Sequence, residues 1–175
     1  MNDAVVAVAG WGKTEVLANA VAREQNPERV LVLTYTETNQ REDILRIFQK
    51  TSGAKRHALV IGWKAFQLRD IVRPYLPLLY PDIHLRGLSN RDVDLNKRSA
   101  GSARYLTKDG DAYPSVLGKL SLNVIDASEG AAIRRLERLY DSIYIDEAQD
   151  LRGNDLCVLE RLLMSSINVH IFLDP

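Results

Sequence analysis

Cys157 is the chain's one cysteine, so no internal disulfide can form and any fold must rest on packing. No apolar run approaches the roughly 20 residues that span a bilayer, and the amino terminus lacks the basic-then-apolar pattern of a secretory signal. Neither sign of charge is in excess: 23 Lys and Arg stand against 23 Asp and Glu. There is therefore no global basic field to attract nucleic acid, and any such binding must come from a local surface. His57, His84 and His170 show no metal-ligand spacing with one another or with Cys157, and none is assigned a metal. Internal repeats and low-complexity tracts are missing as well. These absences point to a soluble, cytoplasmic enzyme module with no membrane partner.

What is present suits a single buried core. Of 175 residues, 46% are hydrophobic, enough for one sizeable domain carrying an insertion. Strand and helix signals alternate, the pattern of a parallel sheet covered on both faces. Strands are expected at about residues 4–9, 30–34, 58–61, 122–125, 142–146 and 168–173, and helices near 13–23, 39–50, 64–72, 128–139 and 154–165. Crossovers in such sheets are right-handed and ligands collect at the carboxyl ends of the strands.

Two segments at such ends carry chemistry. Ile143, Tyr144 and Ile145 run into Asp146, Glu147, Ala148, Gln149 and Asp150, an apolar strand ending in paired carboxylates with an amide two residues later. Near the amino terminus Ala7-Val8-Ala9-Gly10-Trp11-Gly12-Lys13-Thr14 has the Gly-Lys-Thr ending of a phosphate-binding loop, set between a strand and a helix. Backbone N–H groups of Ala9, Gly10, Trp11 and Gly12 can converge on phosphate oxygens while the following helix aims its positive end at the same anion. Lys13 then neutralises the outer phosphates. The Thr14 hydroxyl and the Asp146 carboxylate are the candidate ligands of Mg2+, Asp146 directly or through water. Glu147 is the candidate base for an attacking water. Gln149, which both donates and accepts, can orient that water or sense the terminal phosphate. The expected cofactors are therefore ATP and Mg2+.

With Leu33-Thr34-Tyr35-Thr36-Glu37-Thr38-Asn39, the Asp-Glu-Ala-Gln-Asp run resembles the superfamily 1 DNA helicases of the UvrD/Rep type. That family has an alanine where other phosphate loops have their first glycine, and Ala7 stands at that spacing. Thr34, Tyr35 and Thr36 match the motif that lies on single-stranded DNA. Val60-Ile61-Gly62-Trp63-Lys64-Ala65-Phe66 looks like the next DNA-facing motif, and Phe172-Leu173-Asp174-Pro175 like the opening of the one after the acidic box. Trp11 departs from the small residue usual at its place. Glu37 stands where an asparagine often follows the triplet, with Asn39 two places on. The resemblance implies a RecA-like P-loop NTPase fold spanning residues 1–175, one ATP-binding lobe with the second lobe and its catalytic arginine absent. It also implies a hydrolase partnered by single-stranded DNA, in a setting such as DNA repair beside a nuclease or other DNA-processing protein.

The segment 84–111 breaks the rhythm and reads as an insertion. From 86 to 108 it holds Arg86, Arg91, Lys97, Arg98, Arg104 and Lys108 against Asp92 and Asp94, four net positive charges. It suits either a solvated loop or a track for phosphates, with Tyr105 and Tyr113 as stacking platforms. Trp63 and Phe66, three apart at a helix start, fit a core or a base-stacking role, and Thr36 can serve as a helix N-cap as well as a DNA contact. The expected function is an ATP-driven DNA helicase lobe. The alternative is an ATP-dependent switch or accessory subunit of a DNA-repair or phage-defence assembly that does not translocate. A small-molecule kinase fits Glu147 and Gln149 less well, because they suit water as nucleophile.

Overall fold

Leu31, Leu33, Ile143 and Ile145 point to one face of a sheet, whereas Val30, Val32 and Tyr144 point to the other, as the two-residue period of a strand requires. These residues belong to β2 (Val30–Thr34) and β4 (Ser142–Ile145), in which every position is buried. Strands covered on both sides read as continuous apolar runs, which is why both were legible in the sequence. A computed structural model describes residues 2–6, 12–35, 37–50, 57–93 and 100–173. In it, β1 (Asp3–Val6), β3 (Leu59–Gly62) and β5 (Asn168–Leu173) complete a five-stranded sheet of order β1-β5-β4-β2-β3. All four pairings are parallel.

Helices cover both faces. On one, α1 (Lys13–Ala22) packs Leu17, Ala18 and Val21, and α2 (Glu37–Lys50) packs Ile47, against Val30, Val32, Val60, Tyr144 and Phe172. On the other, the larger core is built from α3 (Trp63–Phe66), α5 (Leu117–Ala127), α6 (Ala131–Leu139) and α7 (Asn154–Leu163). α3 continues through a π-helical stretch, Gln67–Val72, into α4 (Arg73–Tyr75), so the helix expected at 64–72 is present but widened in its middle. Among the described residues no helix is long and apolar enough to cross a membrane.

One expected strand is wrong. Residues 122–125 lie inside α5, whose buried positions Leu117, Leu120, Ser121, Val124 and Ile125 recur at three- and four-residue intervals. The short run Leu122–Ile125 mimics a strand only when Leu117 and Leu120 are left out of the count. The next helix starts three residues later than expected. Ser128 ends α5, its hydroxyl donating to the Ile125 carbonyl (2.7 Å) and accepting from the Ala132 amide (3.1 Å). Glu129 and Gly130 then turn the chain at positive φ.

The insertion is anchored rather than free. Leu85, Tyr105, Leu106 and Ala112 are buried in the larger core, and Ala112 bridges both Leu88 and Leu106. Gly110 has φ 90°, and a side chain there would begin 2.3 Å from the His84 carbonyl, so the tip needs glycine. Arg86, Arg91, Arg104 and Lys108 remain exposed; Lys97 and Arg98 fall outside the described residues. Tyr105 is no base platform, because its ring is buried and its hydroxyl accepts from Asn123 (3.0 Å).

A buried carboxylate ties the α3–α4 rod to the α6–β4 corner. Asp70 accepts from Arg69 Nε (3.0 Å) and from the Tyr140 hydroxyl (3.0 Å), while Arg135 donates to the Asp70 carbonyl (3.1 Å). Burial first, and the Asp70 charge second, push the Tyr140 hydroxyl up to about 12 from 10.0. The fold therefore keeps a proton that the unfolded chain has already lost. Stability is fully present below pH 10 and drains away as pH rises toward about 12. Tyr140→Phe is expected to cost about 1–2 kcal/mol at neutral pH and to flatten that alkaline loss. Urea melts of parent and variant across the interval check both; parallel losses in the two proteins would contradict the assignment.

Candidate functional site

Parallel pairing decides what meets at the carboxyl edge of the sheet. Val6, at the end of β1, is level with Leu173 on β5, and Ile145, at the end of β4, is level with Ile171. β1 and β4 thus stop within about one residue pair of each other on either side of β5, roughly 10 Å apart at two strand spacings. The segment leaving β1 and the acidic run leaving β4 emerge side by side. Ala9, Gly10 and Trp11 lie outside the described residues; Gly12, Lys13 and Thr14 are within them.

Gly12 sits at φ 77°, turning the chain into α1, and its carbonyl accepts from the Val16 amide (2.9 Å). Among the described residues no side chain caps this helix start. The leading N–H groups of a helix and its dipole favour an anion at this end. Lys13 is the first helical residue and Thr14 the second.

Lys13 reaches across to the acidic run. Its Nζ donates to Glu147 Oε1 at 2.5 Å and lies 3.5 Å from Asp146 Oδ1. Gln149 Nε2 donates to the other oxygen of Glu147. Four residues picked from sequence thus form one cluster: Lys13, Asp146, Glu147 and Gln149. The Asp146 amide donates to the Leu33 carbonyl (2.9 Å), fixing the run to the end of β2. Glu147 has left-handed backbone, φ 57° and ψ 41°, and leads into a single 3-10 turn, Ala148–Asp150. That conformation is costly for a residue with a β-carbon, and such strain gathers at sites where geometry matters more than stability.

Asp146 is 3% exposed and its Oδ1 has no hydrogen-bond partner. Burial pushes its carboxyl above the ordinary range, and the Lys13 charge only partly opposes this. An orphaned, buried carboxylate oxygen facing an ammonium group is what a hard cation would satisfy, so the residues present fit Mg2+. Among the described residues no cluster of three or more His, Cys, Asp or Glu could hold a metal.

The residues matched to the DNA-facing motifs divide. Thr34 is buried at the end of β2, whereas Tyr35 just beyond is 44% exposed. Thr36 lies outside the described residues, and Asn39 falls in the first turn of α2. Trp63 is 2% exposed and packs on Phe66 with ring centroids 5.7 Å apart, so its ring belongs to the core and offers no face to a base. Sequence reasoning also passed over Asp155, near the start of α7, which accepts from Lys64 Nζ (2.8 Å) and from the buried Gln67 amide (2.8 Å). Only the closeness of Gly118, where a side chain would begin 2.6 Å from Asp155 Oδ1, makes room for it. No local spacing could signal a contact across 88 residues.

Neither the protein-family models nor the curated proteins contain a match to this chain.

Asp146, ion-paired to Lys13 but with no hydrogen bond to its Oδ1, is a testable feature. A carboxyl whose pKa is raised by folding makes stability fall as pH climbs through the interval between its unfolded and folded values, so at neutral pH its charge is a net cost. Asp146→Asn removes that cost at nearly constant shape. In metal-free buffer the variant should be as stable as the parent or more so, by about 1 kcal/mol. A thermal melt with a clearly lower midpoint would mean that Asp146 holds the fold together instead.

Proposed function

We propose that this chain is the ATP-binding lobe of a UvrD-like superfamily 1 DNA helicase, in which ATP hydrolysis drives movement along single-stranded DNA. The observation that carries the reading is the convergence of Lys13, at the start of α1, with Asp146, Glu147 and Gln149 at the carboxyl end of β4. Each group is of the kind that phosphoryl transfer to water demands. The α/β architecture, an all-parallel sheet with helices on both faces, is compatible with a RecA-like fold.

In this reading the first-turn amides of α1 and the ammonium group of Lys13 bind the terminal phosphates. Thr14 and Asp146 would hold Mg2+, which supplies charge neutralisation on the phosphate oxygens. Glu147 takes the proton of the attacking water, and Gln149 keeps Glu147 in position. DNA contacts would fall to Tyr35, Thr36 and Asn39 and to the exposed Arg86, Arg91, Arg104 and Lys108 of the insertion. Arg86, Lys108 and Tyr113 line an open cleft of about 540 Å³ there, together with Asp82 and Asp109.

The burial of Thr34 and Trp63 favours a second reading, an ATP-dependent switch or accessory subunit within a DNA-processing assembly. It uses the same four residues and no translocation. Single-stranded DNA separates the two: it accelerates ATP turnover by a helicase lobe in its native protein and leaves a switch unaffected.

Lys13→Ala should weaken binding of a fluorescent ATP analogue by at least about tenfold, the worth of a charge-assisted contact to phosphate. Glu147→Gln should keep that binding and lose turnover, measured as phosphate release with and without single-stranded DNA. Undiminished affinity in Lys13→Ala, or parental turnover in Glu147→Gln, would contradict the assignment.

A further inference from the structure

Arginine gathers on one side of the larger core. Residues 65–75 and 131–139 hold Arg69, Arg73, Arg134, Arg135 and Arg138 and no lysine, against Asp70 and Glu137, five positive charges to two negative. Both carboxylates are engaged by the fold. Asp70 is 3% exposed, and Glu137 Oε1 accepts from the Ser166 amide (2.9 Å). The surface left by the α3–α4 rod and α6 is therefore positive, although the chain as a whole is neutral.

These arginines are joined into a strip that reaches the insertion. Arg69 and Arg135, from different elements, meet at Asp70: Arg69 Nη2 donates to its Oδ2 (2.5 Å) and Arg135 Nη1 to its carbonyl (3.1 Å). Arg73, four residues beyond Arg69 and exposed, donates from Nη2 to the Arg86 carbonyl (3.0 Å). Arg86 and Lys108, both exposed, then line the cleft of the insertion. Arg69, Arg73 and Arg135 are thus fixed by a protein oxygen, so little ordering entropy remains to be lost on binding. Arg73 and Arg135 each give one of a guanidinium's five N–H donors to these bonds. The Arg69 and Arg135 side chains remain 39% and 34% exposed.

We infer that Arg135, Arg69, Arg73 and Arg86 form a track for the phosphate backbone of a nucleic acid, separate from the carboxyl edge of the sheet. Tyr140, bonded to Asp70, precedes β4 and Asp146 follows it, so the track begins roughly 20 Å from the acidic run, at the opposite edge. Arg69 and Arg73 repeat at about 6 Å along the rod, a spacing that suits successive phosphates of one strand. Planar forks accept phosphate oxygens bidentately. A regular polyanion fits this row better than an acidic protein segment, and the row ends at the insertion cations proposed to meet DNA. Contacts of this kind supply affinity and register without reading sequence. The inference extends the DNA reading and does not depend on the nucleotide site.

Anisotropy of labelled single-stranded and duplex DNA with the whole chain, taken over a salt series, tests the track. Each phosphate neutralised contributes about 0.7 to the log–log salt slope on a single strand and about 0.9 on a duplex. Arg73→Gln/Arg135→Gln should flatten the slope by about 1.4 or about 1.8 on whichever form lies there. Arg73→Gln alone, at an exposed position away from Asp70, should give half that change and does not require Arg135 to be dispensable for folding. Arg23→Gln, exposed at the end of α1 on the other face of the sheet, should leave the slope as it is. An unchanged slope in both track variants, with DNA bound by the parent, overturns the track and leaves contact through the insertion standing. Displacement of DNA by polyglutamate of equal charge, as readily as by unlabelled DNA, overturns the phosphate assignment in favour of an acidic protein partner. Failure of the parent to bind either DNA at low salt overturns the track together with the DNA reading.

Discussion

An ammonium group shared between two carboxylates at the mouth of a parallel sheet is the constraint around which this protein is arranged. Asp146 is buried, its Oδ1 has no hydrogen bond, and Lys13 stands 3.5 Å away. A charge so placed costs several kcal/mol unless another charge compensates it, and Lys13, held closer by Glu147, supplies the compensation only in part. The cluster carries two negative charges against one positive. That imbalance disfavours a bare anion, and in the proposed reading a polyphosphate arrives there with a divalent cation.

The fold keeps the cluster in this unsatisfied state. β4 is buried along its whole length, and the Asp146 amide is bonded to the end of β2, so the acidic run cannot retreat toward solvent. β5, between β1 and β4, sets the distance that the Lys13 side chain must span. The insertion contributes to the opposite core through Leu85, Tyr105 and Leu106 and leaves its charges outside.

The parts of this arrangement that were legible in the sequence are those set by local pattern. β2 and β4 are uninterrupted apolar runs because both faces of the sheet are covered, and the boundaries expected for β2, β4 and β5 fall within a residue of those found. α5 was misread in its middle because four consecutive residues, Leu122 to Ile125, satisfy a strand pattern while the helical period emerges only over eleven. The carboxylates and the lysine were recognisable as types, but their contact spans 134 residues and depends on strand order, which no spacing reveals. The left-handed turn at Glu147 carries no glycine or asparagine to announce it. For Trp63 the same spacing permitted core or surface, and tertiary packing decided for the core.

The central claim is that the start of α1 and the run after β4 form a single polyphosphate site. Hydrogen–deuterium exchange of the chain, with and without Mg2+ and a slowly hydrolysed ATP analogue, tests it without altering any residue. The account predicts that ligand slows exchange together at the amides of the first turn of α1, 13–16, and at 146–150, while the insertion and α6 are unchanged. Slowing at only one of these segments, or at neither, would contradict it.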